Sequence, residues 1–132
     1  MAVVLDTHAM VWYLLRAKQL SPTALQAIRN SVGRGQPVYI SAISMVETIY
    51  LVERGRVPLE ALKRIDEVLK DPVSGLLVAP VDADVADTVS RVPHDIVPDM
   101  PDRIIAATAL HLDLPLVTRD QRIQSAGIKT IW

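Results

Sequence analysis

Four carboxylates stand where apolar runs end or helical patterns begin. Asp6 closes the run in Val3-Val4-Leu5-Asp6-Thr7-His8, and Glu47 lies in Ser41-Ala-Ile-Ser44-Met-Val-Glu47-Thr. Asp102 opens Asp102-Arg-Ile-Ile-Ala-Ala-Thr-Ala-Leu, with Asp99 three residues earlier across Met100-Pro101. Asp120 follows Leu116-Val-Thr118-Arg119. Carboxylates held within a few ångströms of one another repel and raise each other's pKa unless a cation sits among them. Oxygen donors without Cys or paired His suit Mg²⁺ or Mn²⁺, not zinc. Two such ions, or one with a bound water, can activate water and stabilise an in-line displacement. The chemistry this favours is metal-dependent hydrolysis of a phosphodiester.

Each acid taken alone has a plainer use. Asp6 is a good N-cap for the helix after it. Ser44-x-x-Glu47 matches a capping box, in which the Glu reaches back to the cap amide. A helix starting at Ser41 would instead leave Glu47 mid-helix among apolar residues and in need of a cation. Asp99 or Asp102 can cap the helix after Pro101, but one helix needs only one cap. Asp120 suits a turn after a strand.

The elements that must position these residues follow from Pro, Gly and apolar periodicity. Ala2–Asp6 reads as a buried strand and 7–16 as a helix. Ser21-Pro22 starts a helix that runs toward Gly33 and Gly35. Val38–Ser41 is a second strand, followed by a helix over about 44–53, and Pro58 opens another through Lys70. A third strand spans 76–81 and a helix 82–92. Pro93, Pro98 and Pro101 keep the next stretch irregular. A helix then covers 102–112, a fourth strand 115–118 and a possible fifth 129–132. Short apolar strands alternating with helices imply an α/β chain of three layers, its parallel sheet of four to five strands flanked by helices. Ligands bind such sheets beyond the carboxyl ends of the strands, near the switch in strand order. Asp6, Asp102 and Asp120 would converge there, with Glu47 about a helical turn away.

The chain has 132 residues, the size of one domain, read here as 1–132. Half of the residues are hydrophobic, too many for a disordered chain. With no cysteine, a disulfide framework, a thiolate zinc site and a cysteine nucleophile are excluded. The opening apolar run is too short for a signal peptide, and nothing approaches a membrane span. The expectation is a soluble cytoplasmic protein. Net charge is −1, but with the five acids set aside the remainder carries +4, with Arg outnumbering Lys ten to four. A balanced total can hide an acidic pocket on a mildly basic surface. Arg103, Arg119 and Arg122 fall close to the acids in sequence and could hold RNA phosphates. His8, His94 and His111 show no metal-ligand spacing, and His8 is read as a hydrogen-bonded wall residue.

Leu5-Asp6-Thr7-His8-Ala9, Ser41-x-x-Ser44-x-x-Glu47, Asp102-Arg-x-x-x-Ala-Thr-Ala and Leu116-Val-Thr-Arg-Asp120 resemble, in order, the motifs of PIN domains. The resemblance spans nearly the whole chain and is closest to VapC-like toxin ribonucleases of toxin–antitoxin pairs. It implies a Rossmann-like PIN fold and a Mg²⁺- or Mn²⁺-dependent endoribonuclease. By position, Asp6, Glu47, Asp102 and Asp120 become the catalytic, metal-binding acids, and Thr7 and Thr118 the hydrogen-bonding groups beside them. Asp99 matches a position that is often acidic in these toxins and ranks below the other four. Asp99-Met-Pro-Asp102 replaces the Asp-Pro-Phe-Asp common in related toxins. The resemblance also implies a homodimer silenced by a small antitoxin. The apolar helices carrying Met45, Val46, Ile49, Tyr50, Leu51 and Val52, and Met10 through Leu15, are compatible with an interface or with deep burial.

Rival classes fit less well. A haloacid-dehalogenase-like phosphatase needs a second Asp two residues after the first, where His8 stands. A receiver-like domain wants paired acids at the first strand and a Lys after the last. Gly33-Arg-Gly35 precedes a strand instead of following one, so it is no phosphate loop, and no nucleophile elbow is present. A catalytically inactive PIN-like binding module would have no reason to keep all four acids.

Overall fold

The computed structural model describes residues 1–132. Strands β1 (Val3–Leu5), β2 (Val38–Ser41), β3 (Leu76–Ala79), β4 (Leu116–Val117) and β5 (Thr130–Ile131) form one parallel sheet of order β3-β2-β1-β4-β5. The expected four to five strands are therefore five. Strand order reverses around β1, whose Leu5 pairs with Ile40 on one side and Val117 on the other.

Parallel neighbours need crossovers, and the helices supply them. Helices α1 (Thr7–Leu14) and α2 (Pro22–Gly33) connect β1 to β2, and α3 (Ala42–Glu53) and α4 (Glu60–Lys70) connect β2 to β3. From β3 the chain passes through α5 (Ala83–Thr88), a 3₁₀ turn (Val89–Arg91) and α6 (Met100–Leu112) to β4. Helix α7 (Gln121–Ser125) leads to β5.

Alternation along β1 divides the core. Val3 and Leu5 pack with Val38, Ile40 and Val117 against Met10, Ile28 and Ile65 of α1, α2 and α4. Val4 points to the opposite face and packs with Leu116 against Val85, Ile105 and Ile123 of α5, α6 and α7. Helix, sheet and helix make the three layers expected. The apolar run of α1 is mostly spent on this core: Met10, Val11 and Leu14 are buried, and Trp12, Tyr13 and Leu15 partly so. Helix α3 differs, leaving Val46, Ile49 and Tyr50 exposed on one face.

Several boundaries correct the sequence reading. The third strand stops at Ala79, and its edge position leaves Leu77 and Val78 exposed instead of buried on both faces. The helix after β2 begins at Ala42, because the Ser41 hydroxyl accepts from the Ile43 amide at 3.2 Å. The Ser44–Glu47 capping box is therefore not formed. The helix near Pro101 begins at Met100, capped by Asp99 in place of Asp102. Residues 82–92 split, because the α-helix ends at Thr88 and the 3₁₀ turn follows. Helix α7 was not anticipated, since five residues are too few to display a helical period.

Candidate active site

The carboxyl end of the sheet gathers the acids. Asp6 extends β1 by one residue, its amide donating to the Val117 carbonyl at 3.1 Å. One carboxylate oxygen accepts from the Ala9 amide at 2.8 Å and so caps α1. The other accepts from the Thr118 hydroxyl at the end of β4. Thr118 Oγ1 also accepts the Asp120 amide at 3.0 Å. One threonine thus ties the two strand ends together. The cap and the site are not rival uses of Asp6, because the carboxylate has an oxygen for each.

Glu47 comes from the middle of α3. Thr7 Oγ1 donates to Glu47 Oε1 at 2.6 Å and hydrogen-bonds Ser44 Oγ at 3.0 Å, fastening α1 to α3. Ser44, a cap by its sequence pattern, has a buried hydroxyl that serves this bond instead. Asp99 Oδ2 accepts from the Asp102 amide at 3.2 Å. With that cap supplied, the Asp102 carboxylate is released from capping. Asp120 caps α7 through the Arg122 amide at 2.9 Å.

The acids sense one another electrostatically. Burial, then the charges of Asp99, Glu47, Asp120 and Asp6, push Asp102 up to about 7. Burial raises Glu47 against its bond from Thr7, with Asp99 and Asp6 adding repulsion. Burial also raises Asp6, opposed by its bonds from Thr118 and Ala9. Asp120 goes the other way. The Arg122 guanidinium, 2.8 Å away, holds it below the usual carboxylate range.

A cleft of about 330 Å³ is lined by Asp6, Asp102 and Asp120 with His8, Trp12, Arg119 and Arg122. As the side chains stand, no group of three of these acids meets closely enough to cage an ion. Arg122 explains part of this, since it reaches from Asp120 to within 3.9 Å of Asp102. A guanidinium there is the counter-charge the carboxylates need. The carboxylates supply hard oxygen donors, and with no cysteine and a single His8 in the lining they suit a divalent cation such as Mg²⁺ or Mn²⁺.

The three arginines separate. Arg122 pairs with the acids, and Arg119 lines the cleft. Arg103 is turned away: its guanidinium donates to the Val92 carbonyl at 2.7 and 3.1 Å and to the Val89 carbonyl at 3.0 Å. One residue beyond Asp102 on a helix, it points about 100° around the axis from the acid. It closes the end of the 3₁₀ turn and is not placed for phosphates of a strand in the cleft.

An aromatic ladder that no sequence pattern announces stands beside the acids. The Arg119 guanidinium lies over Trp12, 4.9 Å from the ring centroid. Trp12 meets His8 at 5.5 Å and Trp132 at 5.8 Å, both tilted. His8 is the wall residue expected, though what it meets is a ring. In the sequence Trp12 is part of an apolar run, and nothing there pairs residue 12 with residue 132. A second cleft, about 640 Å³, lies between α1, α2 and α4 and has Trp12 in its lining together with Arg16, Arg29 and Arg64.

Comparison with known proteins agrees with this architecture. The PIN domain family matches residues 3–129, and the chain belongs to that family. It is 32% identical over 125 residues to Ribonuclease VapC22 of Mycobacterium tuberculosis (strain ATCC 25618 / H37Rv), covering 93% of this chain and 90% of that protein. Among solved structures, it resembles a chain of VapBC2 from Rickettsia felis bound to a DNA fragment from their promoter. There the TM-score is 0.73 at 15% identity, covering 98% of this chain and 97% of that one. DNA-bound VapBC from Salmonella typhimurium gives a TM-score of 0.69 at 21% identity, covering 98% and 96%. No helix is long and apolar enough to cross a membrane.

Proposed function

We propose that this protein is a divalent-metal-dependent endoribonuclease, the toxin of a toxin–antitoxin pair. The observation that carries this reading is the gathering of Asp6, Asp102 and Asp120 around one cleft at the switch point of a PIN fold, where burial first and neighbouring carboxylates second push Asp102 up to about 7. Asp6, Glu47, Asp102 and Asp120 would hold Mg²⁺ or Mn²⁺, with Asp99 capping α6 behind them. A cation bound there supplies Lewis-acid polarisation of the phosphodiester and lowers the pKa of a water. Thr7 and Thr118 orient Glu47 and Asp6 through their hydroxyls. Arg122, at the rim between Asp120 and Asp102, would offer its guanidinium to a phosphate oxygen of a strand in the cleft. The similarity to Ribonuclease VapC22 supports RNA as the substrate.

The antitoxin is proposed to occupy the larger cleft. Its lining joins apolar Leu14, Leu20 and Leu25 to three arginines, which suits a segment that is apolar with acidic flanks. Because Trp12 belongs to both clefts, a chain seated in one reaches the wall of the other. The exposed Val46, Ile49 and Tyr50 face of α3 is proposed as the homodimer surface.

The test is cleavage of labelled single-stranded RNA by purified, antitoxin-free protein with Mg²⁺ or Mn²⁺, with EDTA, and by the Asp6→Asn variant. Cutting that needs the metal and disappears in the variant is the expected result. No cutting by folded, metal-saturated protein on any RNA offered would return the chain to a binding role.

A further inference from the structure

We propose that Trp12, Arg119 and His8 form a subsite that stacks one unpaired nucleobase beside the phosphodiester held at the acids. The inference rests on the nuclease reading and adds to it what the cleft recognises.

Arg119 is the observation that carries it. The neighbouring carboxylates attract Arg122, which pairs with Asp120 and approaches Asp102. Arg119, next to Asp120 in sequence, forms no ion pair and lies instead over the Trp12 indole at 4.9 Å. A guanidinium needed only as a counter-charge would face the acids. Held over a ring, it is a planar cation whose outer side is open, since Arg119 is exposed.

The ladder is braced. Trp132 at the end of β5 backs Trp12, and His8 on the first turn of α1 flanks it with an exposed ring. Trp12 itself is only partly exposed, so Arg119 and His8 present the surfaces a ligand meets first. Arginine planes and aromatic rings are what proteins use to stack splayed RNA bases, and such stacking tolerates any base. At about 330 Å³ the cleft sits at the small end of the ~300–1,000 Å³ range of ligand sites. That is room for a nucleotide-sized group. The subsite takes one unpaired base without fixing its identity.

The test is binding, with cleavage prevented by the Asp6→Asn substitution, which keeps the cap of α1. Fluorescence anisotropy in Mg²⁺ would follow a short single-stranded RNA and a strand of the same length in which every position is abasic. Removing the bases is expected to weaken binding about tenfold or more. Arg119→Ala should weaken the intact strand similarly and the abasic strand no further. Arg119→Lys, which keeps the charge and loses the plane, should behave as Arg119→Ala. If Arg119→Lys restores binding, or Arg119→Ala weakens every strand equally, the arginine is a phosphate contact only and the subsite is overturned. Metal-dependent cleavage together with equal binding of the intact and abasic strands overturns the subsite and leaves the nuclease standing. Failure of the unaltered protein to bind or cut any RNA overturns both.

Discussion

At the residue scale, Asp6 and Thr118 show how closely structure and chemistry are joined. Asparagine caps helices as well as aspartate. Asp6→Asn should therefore abolish cleavage while leaving the metal-free protein as stable as before or more so, read as Tm beside RNA cutting. An inactive variant that is also unfolded would make Asp6 a structural residue. Thr118→Val removes a donor to Asp6 and an acceptor for the Asp120 amide at once. Leaving buried polar groups unpaired costs about 1–3 kcal/mol, so denaturant melts should register a loss of that order and a further weakening of metal binding. The convergence of Asp6, Asp102 and Asp120 was legible in the sequence, because segments that follow parallel strands meet at one sheet edge. The partners that orient them were legible only as neighbours in sequence. Ser44, which links α1 to α3 through Thr7, was disguised by a capping-box pattern.

At the scale of elements, the caps decide which acid is free. Asp99 serves α6 and thereby releases Asp102. Asp99→Ala should lower stability by about 1 kcal/mol, as cap removals do, and Asp99→Asn should restore it. If Asp99 acts only as a cap, the Asn variant also cleaves RNA at an unchanged rate; a large loss of cutting in the stable Asn variant would make it a ligand. Strand and helix order was readable from the sequence, since period and Pro punctuation are local signals. Boundaries near the site were not. Ser41 starts α3 a turn early because Ser44 is used elsewhere, and α7 is capped by Asp120, an acid that resembles a turn residue. Arg103 misled for a related reason: nearness along a helix is not a shared face.

For the whole molecule, the crowded acids make stability depend on pH. Asp102 is raised from 3.8 to about 7 in the fold, so between those values the folded state binds more protons than the unfolded chain. Its contribution is full below about pH 4 and is lost as pH rises through 7, an effect on the order of 2–4 kcal/mol. Glu47 and Asp6 shift in the same direction. Metal-free protein should therefore melt higher at pH 5 than at pH 8, and Mg²⁺ should raise the pH 8 value most. Asp102→Asn should flatten the profile; a profile that rises toward pH 8 would contradict the raised carboxyls. Assembly is a separate expectation. Ile49→Lys, on the exposed α3 face, should convert a dimer to a monomer in light scattering with little change in Tm. The three layers were predictable from alternating short strands and helices, whereas the edge exposure of Leu77 and Val78 was not, because hydrophobic runs do not reveal which strand lies outermost.

The chain holds two tryptophans, and both stand in the ladder at the cleft, 5.8 Å apart. Light absorbed by indole is thus absorbed in one place. Emission from the unlabelled protein is a local gauge, sensitive to the position of the Arg119 cation and to whatever displaces it. A stopped-flow trace of that emission would time arrival and departure at the cleft without dye, tag or substitution.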